Sequence, residues 1–248
     1  MYRGSRKHIL DWVATPRFIP ELLEIASPVK CRVTPSSRWQ PVSYRFPDEA
    51  RLEEFGPRVL PNVDWTRLSS WWLKHEKGAN TPNWDIALCC EINDVPGLLL
   101  VEAKANAPEL KEDAKTKPNA LSPKSVANHE QIKVAIGEAR HALRTQFPDI
   151  AIDRDTSYQL SNRIAFAWKL ATMGVPTVLI YLGFTEDLGI ANTGAPFSSA
   201  DDWGVCFGEH LTALCPHPIA ERRIPVGDSA FWLLVRSKKV LEISPQVI

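Results

Sequence analysis

The sequence lacks any apolar run of the roughly 18–20 residues that cross a bilayer. Its longest apolar stretches, 96–101 and 175–184, are much shorter. It lacks net charge, because 29 Lys and Arg balance 29 Asp and Glu. A whole-molecule positive field steering the chain onto nucleic acid is therefore excluded, although a local basic groove is not. It lacks a disulfide framework. Five cysteines are an odd count, and Cys89 and Cys90 are adjacent, which suits a reducing cytoplasm. Arg3, Arg6 and Lys7 precede no apolar segment of the secretory kind, so no signal peptide and no membrane partner are expected. There is no repeat and no low-complexity tract. The phosphate-loop, dinucleotide-fingerprint, nucleophile-elbow and zinc-deaminase signatures are all missing. Cys206, His210, Cys215 and His217 lie close together, but their spacing fits no zinc pattern.

What is present is an ordinary globular composition, with 44% hydrophobic and 23% charged residues over 248 positions. That length can bury a substantial core. Twenty prolines imply many fixed loops, and nine tryptophans imply a core built on large aromatics.

Residues 1–62, rich in Pro and Arg, read as an irregular N-terminal layer with a helix or two. Asp64 can cap a helix over 65–76, with Trp65, Leu68 and Trp72 on one face and Glu76 extending that stripe. An acid at a helix C-terminus opposes the dipole and calls for compensation. Strands are expected over 84–92 and 98–104, joined by a turn over 93–97 in an antiparallel hairpin. Residues 105–124 read as a long polar loop, of the kind that often forms a lid or binding loop. Helices over 125–146 and 156–173 follow, the second closed by Gly174. A buried strand over 177–184, a helix over 202–214 and a last strand over 231–237 complete the chain. Two helices feeding a strand point to an α/β domain.

The residues that carry chemistry are Asp85, Glu102 and Lys104. Glu102 follows Asp85 by 17 positions. The hairpin returns its second strand beside the start of its first, so the three meet in space. Strand periodicity sets Glu102 and Lys104 on one face. Asp85 and Glu102 offer oxygen ligands to a hard cation such as Mg²⁺, with the Ala103 carbonyl as a third. Two carboxylates buried face to face without such a cation would be costly. Lys104 can orient a water or stabilise developing charge. On the 156–173 helix, Leu160, Ile164 and Trp168 form one apolar stripe. Gln159, Arg163, Phe166 and Leu170 form a second, and Tyr158, Asn162 and Lys169 point the other way.

Asp85, Glu102 and Lys104, set in TPNWDIALCCEI and GLLLVEAKAN, resemble the PD-(D/E)xK nuclease superfamily over about residues 64–184. The resemblance implies a three-layer restriction-endonuclease-like core, a mixed central sheet flanked by helices. Residues 1–62 and 185–248 would elaborate that core within a single domain. It further implies Mg²⁺-dependent phosphodiester hydrolysis, with Mn²⁺ as a substitute, and DNA as the partner. Asp85 and Glu102 would bind metal and Lys104 would assist the water. Glu76 would be the acid from the preceding helix, with Glu53 and Glu54 as fallbacks. Gln159 and Arg163 would support the site near metal or phosphate. Only residues 77–84 separate the helix from Asp85, so the strand usual there would be very short or come from elsewhere. Zero net charge suits a narrow groove or delivery by a protein partner, and a homodimer suits cutting of two strands. The rival reading is a non-catalytic nucleic-acid-binding or scaffold protein that retains the fold.

Overall fold

The computed structural model describes residues 3–77, 79–111, 122–190 and 194–240. Its centre is a hairpin of β5 (Ile86–Ile92) and β6 (Val95–Lys104). Asn93 and Asp94 close it with φ of 49° and 66°. Positive φ at both central residues is the mark of a type I′ turn, whose twist matches that of the paired strands. Val95, Pro96 and Gly97 therefore belong to β6, not to a five-residue turn as the sequence suggested. Gly97 is required by close approach: a Cβ there would press into the Pro176 carbonyl oxygen and the Ile92 side chain.

The hairpin seeds a seven-stranded mixed sheet among the described residues. β6 pairs in parallel with β7 (Thr177–Thr185), and β7 in parallel with β9 (Ser229–Lys239). β8 (Arg223–Val226) closes the far edge, antiparallel to β9. On the other edge, β1 (Cys31–Arg32) and β2 (Trp39–Gln40) each pair antiparallel with β5. Both edge strands come from the N-terminal region. A two-residue strand also precedes Asp85 directly: β4 (Asn83–Trp84), paired with β3 (Ala50–Arg51). The regions flanking residues 64–184 contribute β1, β2, β8 and β9 to the sheet, and β9 lies between β7 and β8.

Side-chain alternation splits the sheet into two cores. Ile86, Leu88, Leu99, Val101, Val178 and Ile180 face α1 (Gly4–Val13) and α2 (Phe18–Ile25). Ala87, Leu98, Leu100, Leu179 and Leu233 face the opposite layer. That layer holds α3 (Leu52–Val59), α4 (Thr66–Trp72), α6 (Pro123–Leu143), α7 (Tyr158–Thr172) and α8 (Ala200–Leu214). Each fully buried Leu, Ile or Phe contributes roughly 1.5–3 kcal/mol, so both faces are strongly held. No helix among the described residues is long and apolar enough to cross a membrane.

Several elements depart from the sequence reading. α4 stops at Trp72, four residues short of Glu76, and Asn128 of α6 then holds the chain by bonding both the amide and the carbonyl of His75 at 2.7 Å. α6 starts two residues early because Ser122 caps it, accepting from the Ser125 amide at 3.2 Å, with Pro123 at the first helical position. The expected loop over 105–124 contains α5 (Ala107–Lys111), and 112–121 lie outside the described residues. Asn162 is 2% exposed rather than outward-facing, and Lys169 lies over the Trp71 ring at 5.1 Å. α6 packs on the side of α7 that was expected to meet solvent.

Candidate active site

Alternation that carries Leu98 and Leu100 into the α6–α8 layer carries Glu102 and Lys104 there too. The register pairs Ile86 with Val101, so Asp85 stands one step further on, opposite Glu102. The three side chains gather at the carboxyl end of β6. They line an open cleft of about 580 Å³ together with Gln159 and Arg163. Open α/β sheets place their ligand crevices at this end.

Glu102 is 3% exposed and Lys104 6% exposed. Lys104 Nζ donates to Glu102 Oε1 at 2.8 Å and to Gln159 Oε1 at 2.6 Å. Arg163 Nε donates to Glu102 Oε2 at 2.7 Å, and its Nη2 to the Asn83 carbonyl at 2.6 Å. The guanidinium also lies over the Trp84 ring, 4.4 Å from the centroid. Gln159 and Arg163 are four residues apart on α7, one turn of the face that meets the sheet. Arg163 therefore ties α7, β6 and the segment ahead of Asp85 into one unit.

Asp85 is half-buried, and its Oδ2 accepts the Ala103 amide at 2.8 Å. A strand residue turns its N–H and C=O to the same edge, so the Ala103 carbonyl lies on the Asp85 side, past the start of β5. Burial first, then the charge of Glu102 and that of Glu49, push the Asp85 carboxyl up to about 7, against the opposing pull of Lys104 and the Ala103 amide. Burial alone would also raise Glu102, but Arg163 and Lys104 outweigh it and hold that carboxyl below its usual range. Burial alone would lower Lys104, yet Glu102 and Asp85 outweigh it and keep the ammonium charged beyond its usual range.

Glu76 is exposed beyond the end of α4 and does not line the cleft. The shortened helix removes it from the position expected of a helix-borne acid. Glu53 instead accepts from the Thr81 amide and hydroxyl, and Glu54 pairs with Arg51. The acids that do line the cleft beside Asp85 and Glu102 are Glu49 and Glu109. Glu49 precedes β3 and meets Arg6 at 3.3 Å; no spacing in the sequence marks it. Glu109 was legible in principle, because Asn106-x-x-Glu109 has the shape of a capping box. Asn106 Oδ1 accepts the Glu109 amide at 2.8 Å and its Nδ2 donates to Glu109 Oε1 at 3.1 Å. Tyr158, expected on the outer side of its helix, also lines the cleft.

Among the described residues, no three His, Cys, Asp or Glu side chains stand close enough to hold a metal ion as they are. Both Glu102 oxygens are engaged by cations. The lining still offers oxygen donors that suit a hard divalent cation, since Asp85, Glu102, Glu49 and Glu109 all reach the cleft beside Lys104 and Arg163. No protein-family profile, curated protein or solved structure matches the chain.

Proposed function

We propose that the chain is a metal-dependent nuclease with a restriction-endonuclease-like core, hydrolysing phosphodiester bonds in DNA. The observation that carries this is the meeting of Asp85, Glu102 and Lys104 at one strand end, with Gln159 and Arg163 from α7 on the same cleft. Asp85, the Ala103 carbonyl and Glu102 would hold Mg²⁺ or Mn²⁺. The ion would supply Lewis-acid polarisation of the phosphodiester and a lowered pKa for water. Lys104 stands beside Glu102 with its charge held, where it steadies the negative charge that builds on the phosphoryl oxygens. Gln159 fixes the Lys104 ammonium, and Arg163 fixes the Glu102 carboxylate. Asp85 must shed its proton to act as a ligand, so the site favours mildly basic conditions until a cation is bound.

The two-cation clamp on Glu102 favours a second reading, a nucleic-acid-binding scaffold that keeps the fold without cutting. Incubation of supercoiled plasmid and single-stranded DNA with Mg²⁺, Mn²⁺ or EDTA separates the two. Cutting with metal and none with EDTA supports the nuclease. DNA binding with no cutting under any condition supports the scaffold. Competition by mononucleotides but not by oligonucleotides would instead point to a small phosphate ester as substrate.

A further inference from the structure

Next to the cleft lies a second depression, of about 460 Å³, lined by Trp39, Val42, Phe46, Phe55, Arg38 and Arg58 among others. Its outer wall is a tight reverse turn. Phe46 donates its amide to the Ser43 carbonyl at 3.0 Å, and the Val42 amide donates to the Phe46 carbonyl at 3.2 Å. This turn exposes Val42, Tyr44 and Phe46 by 48%, 47% and 60% within five residues. The other large exposed apolar residues among those described occur one at a time along the chain. The Phe46 ring is thus presented outward on a braced turn. The Arg45 guanidinium stands 5.6 Å from its centroid.

The charge around this groove is unbalanced. Neighbouring cations are matched: Lys30 with Asp94, Arg32 with Glu91, Arg51 with Glu54. Arg38, Arg45 and Arg58 are exposed and form no ion pair with a carboxylate among the described residues. Arg38 donates to the Pro35 and Ser37 carbonyls, and Arg58 to the Glu54 carbonyl and the Gln40 side chain. Asp48 is the single acid on the groove. An aromatic surface rimmed by uncompensated arginines is what a nucleobase flanked by phosphates requires. The same rim disfavours a basic partner.

The groove and the cleft are joined through two consecutive residues of the chain. Asp48 lines the groove and Glu49, the next residue, lines the cleft. A strand held at Asp85 and Glu102 and leaving past Glu49 would meet Phe46.

We propose that this groove binds an unpaired stretch of single-stranded DNA beside the cleft, Phe46 stacking a base and Arg45, Arg38 and Arg58 meeting phosphates. The substrate would then be DNA with a single-stranded segment next to the cut. The polymer's identity rests on the nuclease reading; the stacking groove rests on its own residues.

The test is fluorescence anisotropy with a labelled oligothymidylate in EDTA, so that nothing is cut. Wild type, Phe46→Ala, Arg45→Ala and, as control, Val205→Ala on the exposed face of α8 are compared. Wild type should bind oligothymidylate more tightly than a blunt duplex. Phe46→Ala should weaken binding at least about fivefold, in line with loss of one base stack. Arg45→Ala should lower the slope of log affinity against log salt by about 0.7. Val205→Ala should bind as wild type. Absent wild-type binding, equal binding of duplex, or unchanged binding by Phe46→Ala would overturn the proposal. If Phe46→Ala binds normally while wild type cuts plasmid, the groove fails and the nuclease stands. If wild type never cuts but Phe46→Ala loses the oligothymidylate, the groove stands and the nuclease fails.

Discussion

Replacing Asp85 with Asn should stabilise the metal-free protein, and the gain should grow with pH. The folded carboxyl titrates at about 7, against an ordinary value of 3.8. Between those values the folded state holds a proton that the unfolded state has released. Stability therefore falls as pH rises through this window and is fully lost above the folded value. From about pH 5 to about pH 8 the linkage amounts to about 3 kcal/mol. Part of the carboxyl meets solvent, and screening reduces the expected readout to about 2 kcal/mol. The substituted amide would still accept the Ala103 N–H but would carry no charge against Glu102 and Glu49. Urea unfolding in EDTA at both pH values reads the effect. The wild type should lose about 2 kcal/mol relative to Asp85→Asn on going to the higher pH, or about 4–8 °C in Tm for a chain of this size. Parallel pH profiles for the two proteins would refute the reasoning and remove the electrostatic case for a cation at Asp85.

Further outcomes follow from the same contacts. Arg163→Leu should destabilise by about 3–5 kcal/mol in urea unfolding, since Glu102 is buried and Arg163 is one of its two cations. Gln159→Leu should leave the fold intact and lower cleavage about tenfold or more in a turnover assay, by freeing the Lys104 ammonium from the contact that aims it. Gly97→Val should cost at least about 1–3 kcal/mol by denaturant midpoint, because a side chain there meets the Pro176 carbonyl. Mg²⁺ should raise the Tm of wild type near neutral pH, where it competes with the Asp85 proton, and should leave Asp85→Asn nearly unmoved in a thermal scan.

How far this was legible in the sequence differs from element to element. The hairpin and its acids were readable because strand alternation is strict: once Leu98 and Leu100 face the core, Glu102 and Lys104 must follow. The helix expected over 125–146 was readable for the same kind of reason, because Ile132, Ala135, Ile136, Ala139 and Leu143 recur at helical spacing and all are buried in α6. The ends were harder. α4 ends at Trp72 although the helical spacing was read on to Glu76, because Asn128, 53 residues away, captures His75 beyond the helix end. No local signal announces that, and Glu76 was misplaced with it. β1 and β2 were hidden because two-residue strands have too few positions to show a period. β8 was overlooked beside a usable signal, Gly227-Asp228 between two short apolar runs, with Gly227 at φ 56°. Glu49 entered the cleft through tertiary packing alone. The outward side of α7 was misread because a helix flanked by both a sheet and a second helix has no solvent face to mark.

The central claim is that the Asp85, Glu102 and Lys104 cluster cuts phosphodiester bonds. Wild type and Lys104→Ala, purified side by side and shown to be folded by circular dichroism, should be given supercoiled plasmid and single-stranded DNA with Mg²⁺, Mn²⁺ or EDTA. Wild type should cut only with metal, and Lys104→Ala should cut at least about 100-fold more slowly. Equal cutting by both proteins, or none by wild type on either DNA with either metal, would contradict the claim.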